Sequence, residues 1–178
     1  MPDVVTPLQR HNCMSRVRSA STKLEITLRK ELWRKGYRYR NNDRRFPGTP
    51  DIVLPKYRSV IFVQGCFWHG HTGCKKSTPP KTNTTFWGEK IARNKQRDED
   101  VWRQLEAKGW FVIIVWGCEL GKNRIDSTIS RIESELLENG REFQRRREER
   151  KLIRQQHILE TKEKQNHHRI LLAEIKRL

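Results

Sequence analysis

Seven consecutive apolar residues, Trp110-Phe-Val-Ile-Ile-Val-Trp116, stand in a 178-residue chain that is 33% charged and only 34% apolar. Gly109 and Gly117 bracket the run, and each of its residues is β-branched or aromatic. Such residues suit a pleated, well-packed surface. Crossing a bilayer takes about 18–20 apolar residues, so this run cannot span one. A strand apolar on both faces must be covered on both faces. The run therefore reads as a central strand, and the chain as a layered α/β fold.

The other elements arrange themselves around that strand. Thr22-Lys-Leu-Glu25 has the Thr-x-x-Glu form of a capping box, and Leu24, Leu28 and Leu32 follow at helical spacing until Gly36. The Pro-rich turn Phe46-Pro-Gly-Thr-Pro50 feeds a short strand, Asp51–Leu54, closed by Pro55. Arg58–Gln64 reads as a second buried strand around Val60-Ile-Phe-Val63. Helix signals resume near Trp87 and run to Lys108, and a last helix is expected over Asp126–Glu138. The order α-β-β-α-β-α predicts a compact domain over 21–139 with a mixed central sheet flanked by helices. Beyond it, residues 140–178 form a basic, helix-prone C-terminal extension without a sustained heptad.

Thirty-eight Lys and Arg against 21 Asp and Glu leave a net charge of +17. The extension carries 12 Lys and Arg against 6 Glu, so both parts are basic. Charge of this size favours a polyanionic partner and makes binding salt-dependent. The N-terminal residues do not resemble a signal peptide, so no membrane partner and a cytoplasmic location (nucleoid-associated in a bacterium) are expected.

Four cysteines without a secretory context do not suggest a disulfide framework. Cys66, His71 and Cys74 lie in one loop as C-x4-H-x2-C, and Cys118 follows the most apolar strand. Three thiolates and one imidazole suit tetrahedral zinc, and four protein ligands make such a site structural. Spacing alone does not separate His71 from His69 as the fourth ligand. The alternative is a set of unrelated buried or loop thiols.

Asp51 opens a strand where a carboxylate can project from the sheet, and Glu25 projects from the first helix. If the two converge, they offer hard oxygen ligands to Mg²⁺, which can activate water against a phosphodiester. The simpler reading has Glu25 completing its capping box and Asp51 closing the Pro50 turn. Asp98 shares a helical face with Ile91, Trp102 and Leu105. A carboxylate there needs a partner, and His69 is the candidate. Such pairing orients an imidazole for acid–base work. Phe67-Trp68 and Phe86-Trp87 read first as core packing. In a basic protein they also serve as wedges between base pairs.

Taken together, Pro50-Asp51-Ile-Val, Val60-Ile-Phe-Val-Gln-Gly-Cys-Phe-Trp-His69, His71, Phe86-Trp87-x-Glu-Lys-Ile91, Arg97-Asp98 and Val115-Trp116-x-Cys118 closely resemble the very-short-patch repair (Vsr) DNA endonucleases, over about Asn12 to Glu138. The resemblance implies a restriction-endonuclease-like core of the PD-(D/E)XK type with a structural Zn²⁺. It also implies Mg²⁺-dependent nicking of double-stranded DNA on the 5′ side of the thymine in a T:G mismatch. Carried over by residue, Asp51 and the Val63 backbone carbonyl bind Mg²⁺, and Glu25 holds a metal-bound water. His69, paired with Asp98, is the base. Cys66, His71, Cys74 and Cys118 are the zinc ligands. Phe67, Trp68 and Trp87 form the intercalating wedge, and Met14, in an N-terminal DNA-contacting arm over 1–20, probes the minor groove. Well-known members carry threonine at the Val63 position and a second histidine at the Gln64 position. Gln64 can donate a hydrogen bond to a phosphate oxygen but cannot transfer a proton.

Three functions follow as expectations. The first is a T:G mismatch nickase of very-short-patch repair. The second is a restriction- or defence-associated nickase acting on modified or sequence-defined DNA, with the extension recruiting a repair or defence protein. The third is a zinc-stabilised DNA-binding module without catalysis.

Overall fold

The computed structural model describes Thr6, Leu8, Gln9, Asn12 and residues 21–175. Met14, and with it most of the expected N-terminal arm, lies outside the described residues.

Helix α1 (Lys23–Arg34) begins at the capping box, with Thr22 and Glu25 each capping the other's backbone N–H. Its Leu28 and Leu32 are fully buried. Strand β1 (Arg40–Asn41) pairs antiparallel with β2 (Ile52–Leu54), and β2 pairs antiparallel with β3 (Ser59–Gln64). A single 3-10 turn, Pro55–Tyr57, makes the β2–β3 corner. Helix α2 (Thr84–Ala107) then carries the chain to β4 (Phe111–Trp116), which runs parallel to β3. Helix α3 spans Ile125–Ile175. The result is the expected mixed α/β architecture.

The position of β4 corrects one expectation. Among the described residues the sheet order is β1-β2-β3-β4, so the most apolar strand lies at an edge, paired with β3 alone. Its apolar character comes from its two covered faces. Ile113 and Val115 join Leu28, Leu32, Ile132 and Leu136 on the α1/α3 side of the sheet. Val112 and Trp110 join Val101 and Leu105 on the α2 side. A strand covered above and below needs no second strand beside it to be buried.

The last helix also differs from expectation, continuing through Gly140 instead of ending near Glu138. A glycine costs a helix about 1 kcal/mol relative to alanine. The Glu, Leu and Arg residues around it are strong helix formers and keep the helix going. Residues 1–139 and 140–178 nevertheless form two separate compact units. Among the described residues, no helix is long and apolar enough to cross a membrane.

Candidate functional site

The turn before β2 sets the position of Asp51. Gly48 has φ +68°, and a Cβ there would lie 2.5 Å from Val101 Cγ1, so the turn sits directly against α2. Asp51 then reaches across to β3, where its Oδ2 accepts the Val63 backbone N–H at 2.7 Å. Glu25 is 4% exposed and is used from several sides at once. Its oxygens accept from Ser21 N at 2.9 Å, Thr22 Oγ1 at 2.8 Å and Arg29 Nη2 at 3.1 Å. Arg29 Nη2 also donates to Asn42 Oδ1 at 2.8 Å and to the Asp51 carbonyl at 3.0 Å. Glu25 thus completes its capping box and also stands beside Asp51, so the two readings of this residue are not alternatives.

Burial first, and then the neighbouring Glu25 carboxylate, push the Asp51 carboxyl up to about 6, against the pull of the Val63 N–H and the Arg29 guanidinium. Two carboxylates facing one guanidinium leave this corner net acidic and lined with hard oxygen. Such a donor set fits a small divalent cation. One lone pair of Asp51 Oδ2 is used by Val63, which leaves capacity on both oxygens for an ion. Arg29 and Asn42 were not legible as site residues. Neither lies in a recognisable motif, and only the fold brings them to Asp51.

At the far end of β3 the chain turns into the loop that carries His69. His69 Nδ1 lies 2.5 Å from Asp98 Oδ2, with the two side chains 23% and 14% exposed. A carboxylate accepts, so the shared proton belongs on Nδ1 and Nε2 is left as the free basic nitrogen. Two contacts press the loop onto α2. Asn94 Nδ2 donates to the Trp68 carbonyl at 2.9 Å. Gly70 has φ +60°, and a Cβ on it would lie 2.7 Å from Ile91 Cγ2. His69, Gln64, Asp98, Lys95 and Trp102 line a cavity of about 380 Å³. Gln64 is 3% exposed, and among the described residues its Oε1 has no hydrogen-bond partner.

The same loop brings a second cluster together. One ligand atom each from Cys66, His71, Cys74 and Cys118 lies within 4.8 Å of all the others. His71 Nδ1 is 3.4 Å from Cys118 Sγ, and its ring stacks on Trp116 at 4.1 Å and 5°. His69 is turned away onto Asp98, so geometry separates the two histidines where spacing does not. None of the three thiols is in a disulfide. Burial, followed by the neighbouring thiols, pushes the Cys118 thiol up to about 11. The Lys76 backbone N–H pulls the Cys74 thiol below its usual value. Tetrahedral zinc, with Zn–S near 2.3 Å, fits four donors this close.

The aromatics form one continuous cluster. Phe67 meets Trp68 and Trp87 at centroid distances of 5.1 and 5.2 Å, and Trp68 meets Trp87 at 5.9 Å. Phe86, half exposed, lies 5.1 Å from Trp87. Lys90 Nζ stands 5.5 Å from the Trp68 ring and 5.8 Å from that of Trp87. Core packing alone would bury these rings, yet Phe67, Trp68 and Trp87 all remain partly exposed.

Residues 2–76 match the family described as DNA mismatch endonuclease Vsr. The type II nicking enzyme V.NmeAIP of Neisseria meningitidis is 49% identical over 124 residues, covering 70% of this chain and 87% of the relative. The type II nicking enzyme V.XorIIP of Xanthomonas oryzae is 46% identical, covering 67% and 88%. The DNA mismatch endonuclease Vsr of Escherichia coli K12 is 37% identical over 143 residues, covering 79% and 91%.

Proposed function

The chain belongs to the Vsr family of DNA mismatch endonucleases, and from that membership we propose that it nicks one strand of duplex DNA on the 5′ side of the thymine in a T:G mismatch, with a divalent cation at Asp51. DNA endonuclease activity itself comes with the family.

The observation that carries it is the pairing of His69 with Asp98 on the loop that follows β3, the strand whose Val63 holds Asp51. When bound, Mg²⁺ supplies positive charge to the scissile phosphate and makes water more acidic. Asp51 and the Val63 carbonyl are the residues that would hold it, with Glu25 orienting a water beside them. His69 Nε2 takes the proton from the attacking water, and Asp98 keeps Nδ1 protonated and steadies the imidazolium that forms. Gln64 cannot move a proton. Its amide donates to a phosphate oxygen, so proton transfer falls to His69 alone.

Zn²⁺ on Cys66, His71, Cys74 and Cys118 is the structural metal of this reading. All four positions are filled by protein, so its contribution is to tie the loop to the end of β4. That tie fixes His69 and the Phe67–Trp68 wedge together. A mismatched step is cheaper to unstack than a paired one, so a rigid wedge favours it.

A second reading is favoured by the relatives that carry the name type II nicking enzyme. In that reading the nick is directed by a sequence context rather than by the mismatch. Nicking of T:G and T:A duplexes of one sequence separates the two. Preference for T:G supports the first, and equal cleavage of both supports the second.

A further inference from the structure

The residues of α3 beyond Asn139 belong to a unit of their own, and one sector of this stretch carries basic side chains without an acidic one. An α-helix turns about 100° per residue. Arg147, Arg150, Lys151 and Arg154 stand at i, i+3, i+4 and i+7, and so share one sector about 100° wide. Glu142, Glu149, Glu160 and Glu163 fall roughly on the opposite side, together with Arg145, and Glu148 lies between the two sides. Arg145 holds Glu142 at 2.8 Å and Glu149 at 3.0 Å, and Arg146 holds Glu142 at 2.7 Å. Among the described residues, the four basic side chains of the other face are all exposed and make no ion pair.

We propose that the Arg147–Arg150–Lys151–Arg154 face is a duplex-DNA contact, gripping the phosphate backbone without regard to sequence and adding to the contacts of the endonuclease unit. The inference rests on the chain's DNA endonuclease activity, because the polyanion is then at hand whenever the enzyme works. From Arg147 to Arg154 the helix rises about 10 Å. Duplex DNA presents one charge per roughly 1.7 Å of axis, about six over that length. From Arg141 onward the sequence holds no Trp or Tyr. A protein interface would be expected to bring such anchors, whereas phosphate contacts need only the cations.

The test compares the full-length chain with three variants, by fluorescence anisotropy on a duplex of about 40 base pairs across a salt series. Arg147→Gln/Arg150→Gln/Lys151→Gln/Arg154→Gln keeps helix propensity and removes the stripe. The slope of log K against log salt should become shallower by about 2–4, near 0.9 per lost phosphate contact. Binding at 100 mM salt should weaken at least tenfold. The Arg→Lys version at positions 147, 150 and 154 should keep the wild-type slope. Neutralising Glu160 and Glu163 to Gln should leave it unchanged.

An unchanged slope in the first variant, with helicity intact by circular dichroism, overturns the inference. So does a steepening of equal size per charge on neutralising Glu160 and Glu163, since net charge rather than the face would then govern binding. Nicking by the wild-type chain under saturating conditions is read in parallel. If it nicks and the slope does not move, only this inference falls. If it neither binds nor nicks DNA, the endonuclease reading falls as well.

Discussion

Asp98 on α2 accepts the Nδ1–H of His69 at 2.5 Å, joining residues 29 positions apart in sequence. This contact sets which ring nitrogen is free to act. Asp98→Asn removes the acceptor charge and allows the wrong tautomer, and His69→Ala removes the imidazole proposed as the base. Each should lower single-turnover nicking by about 10²–10⁴-fold. The double variant should be little worse than either single one, because the two act as a unit. DNA affinity measured without divalent cation should change less than threefold. A drop in affinity as large as the drop in rate would make the pair structural instead.

Asp51 should make the metal-free fold pH-sensitive. Its carboxyl is raised from 3.8 to about 6 by burial, so the folded state binds this proton more tightly than the unfolded one. The associated stability is present below about pH 4 and is lost as pH rises through 6. It amounts to about 3 kcal/mol at most. Asp51→Asn keeps an acceptor for the Val63 N–H and removes the charge. Without added Mg²⁺ at pH 7.5 the variant should melt higher than wild type. Adding Mg²⁺ should raise the wild-type Tm and leave that of Asp51→Asn unmoved.

The thiolate cluster yields a stoichiometry. Plasma emission should find one zinc per wild-type chain and well below one in Cys118→Ser. His71→Ala should lose zinc, whereas His69→Ala should keep it. The reverse pattern would exchange the two histidines' roles. Loss of zinc should also lower Tm, because binding to preformed ligands is part of the folding free energy.

The features legible in sequence are the ones written locally. A capping box, two buried strands and the C-x4-H-x2-C loop each depend on neighbours a few residues away. Strand β1 is not legible because two exposed residues, Arg40 and Asn41, carry no pattern. An apolar run such as Trp110–Trp116 reports covered faces, not how many strands flank it, so the edge position of β4 cannot be read from it. Gly140 marks a change of composition, but a single glycine is too weak a breaker to end α3. The convergence of Glu25, Arg29, Asn42 and Asp51 is set by β1–β2–β3 pairing. Only Glu25 and Asp51 stand in motifs that draw attention to them.

The aromatic cluster makes a prediction about discrimination rather than strength. Trp68→Ala and Trp87→Ala should each reduce the ratio of T:G to T:A nicking by about tenfold or more, since the proposed wedge would work on the stack. Binding to matched DNA should fall less, because backbone contacts supply it. Equal losses on both duplexes would assign these rings to packing.

The mismatch reading is decided with one labelled duplex in T:G and T:A versions, incubated with the purified chain with and without Mg²⁺ and mapped at nucleotide resolution. A single cut in the T-containing strand, on the 5′ side of the mismatched thymine, is expected, requiring Mg²⁺ and absent in Asp51→Ala. Cleavage of both duplexes alike, or a T:G cut that persists in Asp51→Ala, would contradict that reading.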